Sequence, residues 1–147
     1  KKLQQVKGRL YVEKNENKIL IDDTYNSNPA SMEAAIDLMK NIKSFKTKSL
    51  ILGDMFELGE NSKEIHENIS KYITKSKISN VFTLGKMMKH LSTILEDSRV
   101  NTTHFRTRKS LNNFIAKYNF DEHVILVKGS RGMKMEEFAN QIREKGK

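Results

Sequence analysis

The sequence predicts a three-layer α/β domain on a Rossmann-like, mostly parallel sheet, with an antiparallel hairpin at its N-terminus. Three observations carry this. Strand-like and helix-like segments alternate along the 147 residues. Several strand-like segments are near-continuous apolar runs, as expected of strands buried on both faces. The first two strand-like segments are joined only by Asn15-Glu16-Asn17, a link too short for a parallel crossover.

Each element follows from local pattern. Residues 10–12 and 18–22 form the hairpin. From Pro29, the apolar positions Met32, Ala35, Ile36, Met39 and Ile42 recur at helical spacing. Residues 49–52 form a short apolar strand ending at Gly53. Ile65, Ile69, Tyr72 and Ile73 mark a second helix, with Asn61 and Glu64 as an expected capping pair. Residues 81–84 are a strand, and Gly85 leads into a helix through Met88, Leu91 and Leu95. Residues 102–105 are a weaker strand, followed by a helix through Leu111, Phe114, Ile115 and Tyr118. Residues 124–127 are the clearest buried strand, and Met135, Phe138, Ala139 and Ile142 mark the last helix.

Composition narrows the function classes. One ordinary domain fits the length, and 37% hydrophobic residues against 31% charged is lean but sufficient for a core. No apolar run approaches the roughly 18 residues of a membrane helix. The basic start KKLQQVKGRL has no apolar stretch behind it and is not a signal peptide. Without cysteine there is no disulfide or thiolate chemistry, which agrees with a cytoplasmic protein. The net charge of +9 admits a nucleic-acid or phosphate-rich partner, or simply a lysine-rich solvated surface. The lysines are dispersed and the aromatic residues fall mostly on apolar faces, so neither a basic tract nor a base-stacking platform is expected. The expectation is therefore no nucleic-acid partner and no membrane.

In a parallel sheet, ligands bind beyond the carboxyl ends of the strands. That rule selects residues 22–28, 53–60, 85–86 and 128–134. In the first segment, Pro29 suits the first helical position and Asn28 the N-cap. Asp23, Tyr25 and Asn26 are not needed for capping and sit where a ligand would meet the positive helix end. A carboxylate there suits a ribose hydroxyl, and Tyr and Asn supply donors and a flat ring. Spacing alone leaves open a polar turn with no ligand. In the second segment, Asp54, Glu57 and Glu60 could bind a cation or a substrate ammonium, or form a solvated acidic loop. In the third, Gly129 and Gly132 would allow an anion-binding nest of backbone N–H groups, ringed by Lys128, Arg131 and Lys134. A basic loop at a helix start is the alternative.

The absences matter too. There is no phosphate-binding G-x-x-x-x-G-K-[ST] loop, no G-x-G-x-x-G fingerprint and no G-x-S-x-G elbow. No His/Cys set has metal-ligand spacing, so no metal site is expected. His66, His90, His104 and His123 lack partner spacing and read as surface or helix-packing residues. What remains is a ligand-binding α/β domain without a catalytic set of its own.

Four segments together, KGR at 7–9, DDTYNSNPASM at 22–32, LGDMFELG at 52–59 and KGSRGMKME at 128–136, resemble the C-terminal domain of the Mur ligases. The resemblance spans almost the whole chain. It implies a three-domain, cytoplasmic bacterial enzyme of peptidoglycan synthesis. Residues 1–147 would be its third domain, and residues 1–9 a remnant of the interdomain hinge. It implies ATP and Mg²⁺ as cofactors, with the phosphate loop and metal ligands in the central domain. The partners would be UDP-muramoyl-tripeptide, D-alanyl-D-alanine and the N-terminal and central domains of the same chain. The tripeptide carboxylate would be activated as an acyl phosphate and captured by the dipeptide amine. By the same resemblance, Arg9 would reach ATP from the hinge and Asp23 would hold its ribose. Tyr25, Asn26 and Asn28 would line the nucleotide loop. Lys128, Ser130, Arg131 and Asp54 would face the amino substrate and phosphates. No catalytic residue is expected within this domain alone, which would be inactive by itself. The alternatives are a sibling ligase, such as another Mur ligase or a folylpolyglutamate synthase, and a stand-alone basic nucleotide- or nucleic-acid-binding module.

Overall fold

Alternation within the apolar runs sorts their side chains onto two faces of one sheet. In the computed structural model, which describes residues 8–145, eleven elements follow in order: β1 (Tyr11–Lys14), β2 (Lys18–Asp23), α1 (Pro29–Met39), β3 (Thr47–Gly53), α2 (Ser62–Lys75), β4 (Asn80–Leu84), α3 (Met88–Leu95), β5 (Asn101–Phe105), α4 (Arg108–Lys117), β6 (His123–Lys128) and α5 (Glu136–Glu144). Short 3-10 turns at Gly59–Asn61 and Arg131–Met133 precede α2 and α5. The hinge segment expected at residues 1–9 lies outside the described residues up to residue 7.

The six strands run in the order β1-β2-β6-β3-β4-β5. Only β1 pairs antiparallel, and the other four pairings are parallel. Ile19, Ile21, Leu50, Leu52, Val124 and Leu126 pack on one face with the apolar stripes of α1, α2 and α3. The alternate residues Leu20, Ile51, Ile125 and Val127 pack on the other face with α4 and α5. Burying each such side chain is worth about 1.5–3 kcal/mol, so the two-sided burial of β2, β3, β4 and β6 dominates stability. The edge strands β1 and β5 are only partly covered.

Local signals set several ends. Asn28 and Pro29 start α1 as expected: the Asn28 side chain accepts from the Ser31 N–H at 2.9 Å, and the Ser31 hydroxyl accepts from the Asn28 N–H at 3.1 Å. Asn61 departs from expectation. Its backbone is turn-like (φ −88, ψ 10) and its side chain makes no cap bond, because the preceding 3-10 turn denies it the extended shape capping needs. On the sheet face opposite α1, Arg143 of α5 clamps the hairpin, reaching Asp22 at 2.8 Å and Glu13 at 2.5 Å.

Candidate functional site

Neighbouring strands that send their chains to opposite faces leave a crevice at their carboxyl ends. Here β2, β3 and β4 lead to helices on one face, and β5 and β6 to helices on the other. With β6 lying between β2 and β3, the ends of these three strands frame a cavity of about 390 Å³. Its walls come from residues 26–28 after β2, 56–58 after β3 and 130–132 after β6.

A buried ion pair holds this crevice together. Lys128, at the end of β6, is 1% exposed and donates to Asp23 Oδ2 at 2.7 Å and to the Asn26 carbonyl at 3.0 Å. The other carboxylate oxygen of Asp23 accepts from the Leu10 N–H at 3.0 Å. Asp23 therefore ties the segment before β1 and the loop after β2 to the central strand. Each oxygen keeps a further lone pair for a ligand hydroxyl.

Next to this pair, the Tyr25 ring is exposed. The Arg9 guanidinium lies over it at 3.8 Å from the ring centre and that of Arg131 at 5.6 Å. The Tyr25 N–H donates to the Gly8 carbonyl at 2.7 Å, which fixes the Arg9 segment beside the loop. Ser130 staples the three walls: its N–H donates to the Asp54 carbonyl at 2.9 Å, and its hydroxyl accepts from the Phe56 N–H at 2.8 Å and faces the Ser27 carbonyl at 3.5 Å. Among the described residues the buried Ser27 hydroxyl has no partner, an unsatisfied group at the cavity wall. Glu57 and Arg131 give the cavity one charge of each sign. Such a crevice can hold a polar ligand bearing anionic oxygens, with a flat ring at its mouth.

Two expectations change. Asp54 is not turned towards the crevice. Its buried carboxylate accepts from the Met87 N–H at 3.2 Å and the Met88 N–H at 2.7 Å, satisfying orphan amides at the start of α3. Nor do Gly129 and Gly132 form a nest, since neither has the positive φ one requires. They permit close approach instead: a Cβ on Gly129 would stand 2.6 Å from Met135 Cγ, and one on Gly132 would stand 2.7 Å from the Phe56 ring.

The structure thus brings Arg9, Asp23, Tyr25, Asn26, Asn28, Lys128, Ser130 and Arg131 to one end of the sheet and leaves Asp54 behind the loop. Ser27 and Phe56 fall within the selected segments 22–28 and 53–60, but nothing in the sequence marks them individually, because their role depends on three loops meeting. His66, a helix-packing residue as expected, also positions the site. It is fully buried, with Nδ1 2.7 Å from the Ser62 carbonyl and Nε2 accepting from the Met55 N–H at 3.0 Å. That pattern needs the neutral ring, with its proton on Nδ1. Burial holds His66 below the ordinary imidazole range, against the raising effects of the Ser62 carbonyl and Asp54. Burial likewise lowers His104 and His123. A lowered folded pKa means that the unfolded chain binds protons first as pH falls, so stability is full above the ordinary histidine range, about 6.5, and declines below it. The urea midpoint is expected to fall between pH 7.5 and 5.5, with a shallower fall in His66→Gln. A flat profile for the parent chain would reject this account.

Fold and site together define a doubly wound α/β domain with its polar crevice at the strand ends. The chain belongs to the Mur ligase family: the model for its glutamate ligase domain matches residues 8–146. It is 38% identical over 133 residues to the UDP-N-acetylmuramoyl-tripeptide–D-alanyl-D-alanine ligase of Buchnera aphidicola, covering 89% of this chain and 28% of that protein. A crystal structure of MurF from Acinetobacter baumannii superposes with a TM-score of 0.82 at 27% identity, over 97% of this chain and 32% of that one. MurF ligase from Thermotoga maritima in complex with ADP shares the fold, with a TM-score of 0.78 at 22% identity, over 97% of this chain and 32% of that one. The chain thus spans less than a third of each of these three proteins. Among the described residues, no helix is long and apolar enough to cross a membrane.

Proposed function

We propose that this chain is the C-terminal domain of a cytoplasmic UDP-N-acetylmuramoyl-tripeptide–D-alanyl-D-alanine ligase, an ATP-dependent enzyme of peptidoglycan synthesis. The observation that carries this reading is the 38% identity, which extends over 89% of the chain and 28% of the relative. Residues 1–9 are assigned to the hinge from the preceding domain, and the phosphate loop to that domain. By the same family resemblance, the Mg²⁺ ligands are assigned to the central domain as well.

ATP supplies the phosphoryl group that turns the tripeptide carboxylate into an acyl phosphate, whose phosphate the dipeptide amine displaces to form the amide. The crevice fits one part of that assembly. Its cavity of about 390 Å³, with Arg131 and Glu57 in the lining, suits a phosphate-bearing or amino substrate. The exposed Tyr25 ring offers a stacking face, and the unpartnered Ser27 hydroxyl a hydrogen bond. Asp23 is available to a ribose hydroxyl through its spare lone pairs. Arg9 and Arg131 sit where a phosphoryl charge would be met by domain closure, and Glu57 offers a carboxylate to the incoming ammonium. These groups act by positioning and by electrostatics, and closure would exclude water.

The test is ADP release by the full-length protein containing this chain. Release that requires both UDP-muramoyl-tripeptide and D-alanyl-D-alanine supports the reading. Release that instead requires glutamate, with a folate or another muramoyl substrate, overturns it in favour of a sibling ligase. In the same protein, Arg131→Ala is expected to lower kcat/KM by about 100-fold, the usual effect of removing one transition-state donor, without moving the urea midpoint. Unchanged kinetics would remove Arg131 from the site.

A further inference from the structure

The sheet has another place where neighbouring strands part. β4 leads to α3 on one face and β5 to α4 on the other, so a second crevice opens between their carboxyl ends. It holds a cavity of about 670 Å³, larger than the one between β2, β6 and β3. The two lie on opposite sides of the Arg131–Met133 turn: Arg131 and Gly132 line the first, Met133 the second.

We propose that this β4/β5 crevice is a second ligand site, which takes a small molecule through a carboxylate or phosphate group. Charge is the first reason. Lys86, Lys89 and Arg106 line the cavity, and no aspartate or glutamate does. None of the three is in an ion pair among the described residues. Gathering like charges around a cavity is unfavourable unless an anion enters. Arg108, also in the lining, is not available: it donates to the Met133 carbonyl at 2.5 Å and the Lys134 carbonyl at 2.9 Å, and pairs with Glu137 at 3.2 Å.

The second reason is the surrounding frame. His104 is held with Nδ1 2.8 Å from the Thr83 hydroxyl, and its other ring nitrogen, beside the cations, has no hydrogen-bond partner among the described residues. Leu84 and Met133 supply an apolar floor. Gly85 is fixed at the rim by its positive φ and by the Asp54 carboxylate packed behind it. An apolar floor under cations without ion-pair partners suits an oxyanion carried on a compact body. This proposal goes beyond the ligase reading and does not depend on it, because binding is read without turnover.

The test is a ¹H–¹⁵N NMR titration of this chain with inorganic phosphate and, separately, with acetate, each against chloride at equal ionic strength. Saturable shifts of the Gly85, Lys86, Arg106 and Thr107 amides are expected. A response to phosphate alone identifies a phosphate-bearing ligand, and a response to acetate alone a carboxylate; both support the site. The double variant Lys86→Ala/Arg106→Ala changes only exposed side chains, so it should keep the parent spectrum and lose about tenfold or more in affinity. No saturable shift there, shifts confined to residues 26–28 and 130–132, a chloride response of equal size, or undiminished binding in the double variant would each overturn the proposal.

Discussion

Lys128→Met should destabilise the chain by about 3–5 kcal/mol, the range for removing one partner of a buried ion pair. Methionine nearly matches the volume of the lysine stem, so no large cavity opens and the loss is electrostatic. Among the described residues, Asp23 would keep its charge with only the Leu10 N–H bonded to it, and the Asn26 carbonyl would lose its Lys128 donor. Slight exposure of the Asp23 side chain, 12%, places the expected value in the lower half of that range. The control is the double variant Asp23→Asn/Lys128→Met, which leaves no uncompensated charge and should recover much of the loss. Urea unfolding of the parent, both single variants and the double variant measures the coupling. Near-additive effects would show that the pair does not hold the crevice. Since the same contacts tether residues 23–26, the proposed ligase function implies that the single lysine variant should also impair ligation by the full-length protein.

Gly85→Ala should cost about 3 kcal/mol, from two sources that add. The backbone at Gly85 has φ +118, where a side chain is strained by about 1–3 kcal/mol. An ideal Cβ there would stand 2.3 Å from Asp54 Oδ1, so the carboxylate must move. Its movement breaks the bonds to the Met87 and Met88 amides, at the roughly 0.5–2 kcal/mol of a lost N-cap. Asp54→Asn at an unchanged Gly85 separates the terms, since it keeps the shape but leaves one oxygen to accept from the two amides. If Gly85→Ala leaves the urea midpoint within error of the parent, the close packing of Asp54 against Gly85 does not constrain this turn.

The legible features share one property: they are encoded over short distances along the chain. Asn28 and Pro29 announce the start of α1 because capping involves neighbours three residues apart. Apolar runs announce the buried strands because side-chain alternation is fixed by backbone geometry. The rule that ligands bind beyond parallel strands pointed to the loops after β2, β3, β4 and β6, and two cavities open there. The direction in which a side chain faces within those loops was not legible. Asp54 has the same local context whether it faces a ligand or caps α3, and only the position of α3 chooses. Gly129 and Gly132 could equally have made a nest, but Met135 and the Phe56 ring press on them instead. His66 shows a helical position and nothing of its bond to the Met55 amide, which forms because α2 packs beneath the β3 loop.

Taken alone, then, the sequence determined the alternating α/β plan, the faces its helices bury, the helix start at Pro29 and the loops that could meet a ligand. Periodicity and capping act within a few residues, and no partner from elsewhere is required. Tertiary structure decided that β6 enters between β2 and β3, and with that the site itself. Only this strand order brings Lys128 to Asp23 across 105 residues, joins Ser27, Phe56 and Ser130 in one crevice, and turns Asp54 away from it. Hydrogen bonding and burial between distant segments made those choices, and they are properties of the assembled sheet rather than of any single stretch of the chain.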